Sequence, residues 1–137
     1  MFRFSLLLLA AALVLLAGCT SAKRSDGLTA TLNRYGSTVR WGDFQTAEQF
    51  VDPKYREEHP MTSLEASRYA QLRVTAYDDG SGPTPSGENE ATQVVQIGLT
   101  NINTQAERMI VDKQIWHYDA EKNRWWLMSG LPNVNPQ

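Results

Sequence analysis

The run Arg108-Met109-Ile110-Val111-Asp112-Lys113-Gln114-Ile115-Trp116-His117-Tyr118 is followed by Asp119 to Asn123, then by Arg124-Trp125-Trp126-Leu127-Met128. Two stretches rich in β-branched and aromatic residues, parted by turn-forming residues, predict a β-hairpin. Pairing Tyr118 with Arg124 sets Trp116 opposite Trp126 and Gln114 opposite Met128 on one face. The other face then carries His117 opposite Trp125 and Ile115 opposite Leu127. Aromatic cross-strand pairs contribute roughly 0.2–1 kcal/mol each, which favours this register. A slip of one residue would exchange the two faces.

Upstream, Ala91 to about Ile102 reads as a second strand, with Val95, Ile97 and Leu99 on one face. Pairing Leu99 with Met109 and Ile97 with Val111 extends the sheet. Val95, Ile97, Leu99, Met109, Val111, Ile115 and Leu127 would then form one apolar face for helices to cover. Tyr69 to Tyr77 alternates Ala70, Leu72, Val74 and Ala76 with Gln71, Arg73 and Thr75, the period of a half-buried strand. Asp78 to Glu90 (DDGSGPTPSGENE) reads as a flexible polar loop.

The pattern before residue 69 is helical. Leu28, Leu32, Tyr35 and Val39 make one stripe at i, i+4, i+7 and i+11, although Gly36 weakens it. Asp43 is an N-cap for a run to Asp52, with Phe44, Ala47, Phe50 and Val51 inward and Pro53 as its stop. Thr62-Ser63-Leu64-Glu65 has capping-box spacing. Two or three helices followed by four antiparallel strands predict an α+β fold, helices packed on a curved sheet.

The N-terminus has a different character. Leu6 to Leu16 is apolar without a break and follows a single cation, Arg3. A spanning helix needs about 20 apolar residues, so this run suits a secretory signal better than a membrane span. Leu16-Ala17-Gly18-Cys19 closes it and resembles the lipobox of bacterial lipoproteins. The resemblance implies cleavage between Gly18 and Cys19 and lipidation of Cys19. Several acyl chains would hold firmly, at about 0.8 kcal/mol per buried methylene. Thr20, where an aspartate would favour the inner membrane, implies an outer-membrane anchor facing the periplasm in a Gram-negative host. The expected organisation is 1–18 signal, 19–27 lipidated N-terminus and tether, 28–131 one domain, and 132–137 tail.

Cys19 is the single cysteine, which rules out an internal disulfide and a cysteine-based zinc site. Without residues 1–18 the chain has 119 residues, and loss of Arg3 takes the formal charge from −2 to −3. A mildly acidic domain of that size argues against nucleic-acid binding. Neither a cofactor nor a metal is expected. Glu57, Glu58 and His59 are adjacent, whereas ligands need spacing that converges.

Arg40-Trp41-Gly42-Asp43-Phe44-Gln45-Thr46-Ala47 resembles the G-D-x-x-x-A helix junction of the nuclear transport factor two-like, cone-shaped α+β superfamily. The terminal hairpin resembles that family's last two strands. The resemblance covers roughly residues 28 to 131 and implies a sheet wrapped round helices. Ketosteroid-isomerase-like members set an aspartate base and a phenol inside the cone. Asp112 and Tyr118 supply those residue types but are not matched to those positions, so the activity is not carried over.

Two functions follow as expectations. The first is a non-enzymatic binding or assembly module anchored in the envelope. Its contact face would be Trp116, Trp126 and Met128, its partners the membrane and an envelope protein or a second copy. The alternative is a small-molecule or isomerase-like pocket inside the cone, lined by Tyr35, Lys113 and His117. For His117 and Lys113 the plainer reading is a strand-end histidine packed on an indole and a lysine stem reaching the edge.

Overall fold

The computed structural model describes residues 2–135, and side chains for residue 18 and residues 20–135. The chain forms helix α1 (Phe2–Arg40), α2 (Phe44–Ala47) running into a 3-10 turn (Glu48–Phe50), α3 (Pro53–Glu58) and α4 (Ser63–Ala70). Five strands follow: β1 (Leu72–Asp78), β2 (Thr84–Gly87), β3 (Glu90–Asn101), β4 (Glu107–Asp119) and β5 (Arg124–Leu127). The sheet is antiparallel, in the order β1-β3-β4-β5, with β2 beside the start of β3. It curls against the helices, which gives the expected α+β class. Among the described residues no helix is long and apolar enough to cross a membrane.

The stripe on α1 is the seam of the core. Leu28, Leu32, Tyr35 and Val39 are all buried against the sheet. Tyr35 meets Trp116 edge-on at 5.2 Å and Phe50 at 5.5 Å, the T-shaped contact that aromatic quadrupoles favour. Gly36 has a packing reason. A Cβ there would lie 2.9 Å from the Tyr77 ring, so glycine lets helix and strand approach.

Local signals set the remaining helices. Asp43 caps α2 by accepting from the Thr46 N–H at 2.9 Å. Thr62 and Glu65 complete a capping box that starts α4. The run from Asp43 ends before Pro53, as expected, and Pro53 also opens α3 at its first turn, with Asp52 accepting from the Tyr55 N–H at 3.0 Å. A proline at the first helical position loses no needed N–H, so the same residue can start a helix. Inside the stretch read as a loop, Thr84–Gly87 forms the short exposed strand β2. Its pairing is all backbone, which composition does not reveal.

Both hairpins sit one residue away from the expected register. Asp119 pairs with Arg124, Tyr118 with Trp125, His117 with Trp126 and Trp116 with Leu127. Asp119 accepts from the N–H groups of Glu121 and Lys122, and Asn123 takes a φ of 49°, so the loop closes one residue tighter. On the other side, Leu99 pairs with Arg108, Ile97 with Ile110 and Gln96 with Val111. The predicted apolar face is therefore split. Val95, Ile97, Leu99 and Leu127 face the helices, while Met109, Val111 and Ile115 face outward.

The domain is also larger than 28–131. Residues 20–27 continue α1 instead of forming a loose tether. Arg24 donates to the Asn89 side chain at 2.7 Å, and the Trp125 indole donates to the Arg24 carbonyl at 3.1 Å. At the other end Val134 joins the core, and the Tyr69 hydroxyl donates to the Pro132 carbonyl at 2.9 Å. Residues 136 and 137 of the expected tail lie outside the described residues.

Candidate functional site

The one-residue shift turns the even positions of β4 inward, and two of them are polar. Asp112 and Gln114 are buried beside Trp116, and Gln93 on β3 pairs with Gln114. Gln114 joins this group together. Its Nε2 donates to Asp112 Oδ2 at 2.8 Å and to the Tyr77 hydroxyl at 3.1 Å. Its Oε1 accepts from the Trp116 indole at 3.1 Å. Both amide protons are used, and the orientation of the amide is fixed by its partners.

Desolvation governs the protonation of this interior. Burial pushes the Asp112 carboxyl above the ordinary carboxylate range, and the Gln114 hydrogen bond opposes it in part. Burial, reinforced by the Asp112 charge, raises the Tyr35 hydroxyl well above its usual value. Burial likewise pushes Tyr77 and Tyr69 up to about 12. The Tyr35 hydroxyl and Gln93 Oε1 are buried with no hydrogen-bond partner among the described residues. The Tyr69 hydroxyl is already committed to the Pro132 carbonyl, which leaves the Tyr35 and Tyr77 hydroxyls as the phenols able to donate to a further acceptor. The large side chains of Tyr35, Trp116, Ile97 and Leu99 fill the space between helix and sheet.

The outer face of β3 and β4 carries the opposite anomaly. Val94, Met109, Val111 and Ile115 are 41–61% exposed. They share the outer face of the pleat, each opposite a polar residue or glycine: Val94 opposes Lys113, Gln96 opposes Val111, Gly98 opposes Met109 and Thr92 opposes Ile115, so Val94 meets Val111 and Ile115 only diagonally. Four exposed apolar side chains on one sheet face, with Lys113 among them, are more than the single scattered residues an ordinary surface carries.

The residues expected to act together are dispersed by this geometry. Of the candidate pocket, Tyr35 is in the core, while Lys113 and His117 are exposed on the outer face. Of the candidate contact face, Trp116 is completely buried on the inner side and Trp126 lies on the outer side. Trp126 keeps only 7% of its surface, because the Arg124 guanidinium sits 3.6 Å from its ring centroid and the Lys122 ammonium 5.7 Å away. This is cation–π cover. Met128, half-buried, donates its N–H to the Ile115 carbonyl at 2.7 Å. Tyr118 faces Trp125, at 5.4 Å between ring centroids; the phenols whose titration senses the Asp112 charge are Tyr35, Tyr69 and Tyr77.

His59 stacks on Tyr55 at 4.3 Å, and its Nδ1 lies 3.2 Å from the Tyr55 carbonyl. Among the described residues no three His, Cys, Asp or Glu side chains are grouped to hold a metal ion. The sequence pattern gives Gln93 no role and places Gln114 opposite Met128, without its part in the buried group. The even positions Ile110, Asp112, Gln114 and Trp116 fall on the opposite face in the expected register, and the one-residue shift turns them inward. No protein-family model and no curated protein matches the chain.

Proposed function

We propose that this chain is a bacterial envelope lipoprotein whose domain is a binding or assembly module, held at a membrane by lipid on Cys19. Its contact surface is the outer face of β3 and β4. The observation that carries the module reading is the exposed strip Val94, Met109, Val111 and Ile115. Burying such side chains against a partner is favourable by roughly 25 cal/mol per Å² of apolar area. Leu16-Ala17-Gly18-Cys19 supports the anchor through its likeness to a lipobox, and Thr20 supports an outer-membrane destination. The helices against a curved sheet are consistent with the cone-shaped superfamily that the sequence resembles.

A photo-crosslinking amino acid at Val111, introduced in cells, tests the contact face. Discrete crosslinked species are expected, and Val94→Lys should abolish them while the melting temperature stays unchanged. Crosslinks that persist in Val94→Lys would remove this face from consideration. Lipidation is tested separately by palmitate labelling: Cys19→Ala should accumulate as an unlabelled precursor. Equal mass and equal labelling of the two forms would exclude the anchor.

The orphaned Tyr35 hydroxyl and Gln93 Oε1 favour one second reading, a small-molecule site in the cone. A ligand satisfying both groups would raise the melting temperature by mass action. A library of small apolar ketones and amides that gives no shift counts against it.

A further inference from the structure

Trp41 departs from the behaviour of the other three tryptophans. It is 83% exposed, whereas Trp116, Trp125 and Trp126 are buried. It stands just past the C-terminal end of α1, where its N–H donates to the Ser37 carbonyl and Gly42 turns the chain at a φ of 75°. The indole borders a recess of about 520 Å³, shared with Arg40, Leu72, Arg73, Thr75 and Ile102. Small-ligand sites have volumes of this order. Two of the lining residues are cations and none is an acid, in a chain whose acids outnumber its lysines and arginines by 15 to 13. Neither arginine is in an ion pair among the described residues.

Three features narrow the occupant. An indole open to solvent is a flat stacking platform, and it suits the apolar CH face of a sugar ring better than a side chain that needs enclosure. Arginine forks match carboxylates bidentately. Strand addition by a peptide is opposed, because Arg40 Nη1 donates to the Val74 carbonyl at 2.7 Å and so occupies an acceptor on the edge strand β1. The recess also lies about 33 Å along α1 from Cys19, which sets it away from any membrane held there.

We propose that this recess binds a carboxylate-bearing amino-sugar polymer of the cell-wall type, with Trp41 stacked on a sugar ring and Arg40 and Arg73 on its carboxylates. The choice of an amino sugar among acidic glycans rests on the envelope reading above; the pairing of ring and carboxylate does not. The test is co-sedimentation of the full-length chain, in detergent, with peptidoglycan sacculi, with chitin and with poly-glutamate beads. Chitin offers the rings without carboxylates, and poly-glutamate offers carboxylates without rings. The chain should sediment with sacculi and bind each control at least about tenfold more weakly. Trp41→Ala and Arg73→Gln should each weaken sacculus binding about tenfold with an unchanged melting temperature. Cys19→Ala should sediment like the wild type, so a failure of the anchor leaves this result standing. No retention on sacculi, equal retention on poly-glutamate, or full retention of Trp41→Ala would each overturn the proposal.

Discussion

Gln114 bonds three side chains, those of Tyr77, Asp112 and Trp116, and its replacement tests whether the interior depends on them. Gln114→Leu keeps the volume but leaves the Trp116 indole N–H and the Asp112 carboxyl without their partner. Each buried group left unmatched costs about 1–3 kcal/mol, so a loss of about 3 kcal/mol is expected in urea unfolding. Asp112 predicts a pH dependence. Burial raises its carboxyl, so over the interval between its unfolded and folded titration the folded chain holds a proton that the unfolded chain has lost. Stability from this group is complete below the unfolded range and declines as the pH climbs through the folded one. Asp43, Glu65 and Asp119 act in the opposite sense. Hydrogen bonds from Thr46, from Thr62 and from the Lys122 N–H hold them low, and their contribution fades as the pH falls. Asp112→Asn keeps the acceptor for Gln114 and removes only the charge. The variant should therefore gain melting temperature over the wild type as the pH rises from 4 to 8. A gap that stays constant with pH would show that the carboxyl is not desolvated.

At the scale of elements, the helices were legible and the strand register was not, for one physical reason. A helical stripe is set by four or more residues spread over three turns, so Leu28, Leu32, Tyr35 and Val39 survive one poor neighbour such as Gly36. A strand face is set by parity alone, and parity depends on a turn. Here the turn is fixed by Asp119 receiving two N–H groups and by Asn123 in the left-handed region. Neither leaves a hydrophobic signature. The apolar odd positions Met109, Val111 and Ile115 then pulled the reading toward the wrong face, because exposed apolar residues look like core. Asn123 is where this can be tested. The Tyr118 hydroxyl also donates to its side chain. Asn123→Ala loses that bond and places a Cβ-bearing residue with no local compensation at positive φ, at a cost of about 1–2 kcal/mol. Asn123→Gly relieves the backbone and should recover part of the loss. Thermal unfolding of the pair checks the order, and an alanine variant as stable as the wild type would mean that the turn does not set the register.

For the whole molecule, the decisive feature is that α1 runs unbroken from the region read as an anchor into the core. The sequence suggested a loose polar tether over residues 20–27, since it contains no apolar stripe of its own. What orders this stretch is tertiary and polar: Arg24 reaches the Asn89 side chain and the Glu88 carbonyl, lies 4.7 Å from the Tyr118 ring centroid, and lends its own carbonyl to Trp125. If Cys19 carries lipid, only about 7 Å of helix separates the anchor from this first contact, so the domain stands on the membrane by the end that bears Asn89, Tyr118 and Trp125. Trypsin can report on that junction, because the bond after Lys23 is cut only when the helix opens. A hydrogen bond from a charged donor contributes about 1.5–3 kcal/mol, so Arg24→Ala should raise the open population by roughly 10- to 100-fold. Membranes bearing the variant should release a fragment starting at residue 24 faster by about that factor, while the core melting temperature falls by only a few degrees. Equal release rates would mean that Arg24 does not hold the helix to the sheet, and that the domain hangs from the membrane on a free tether after all.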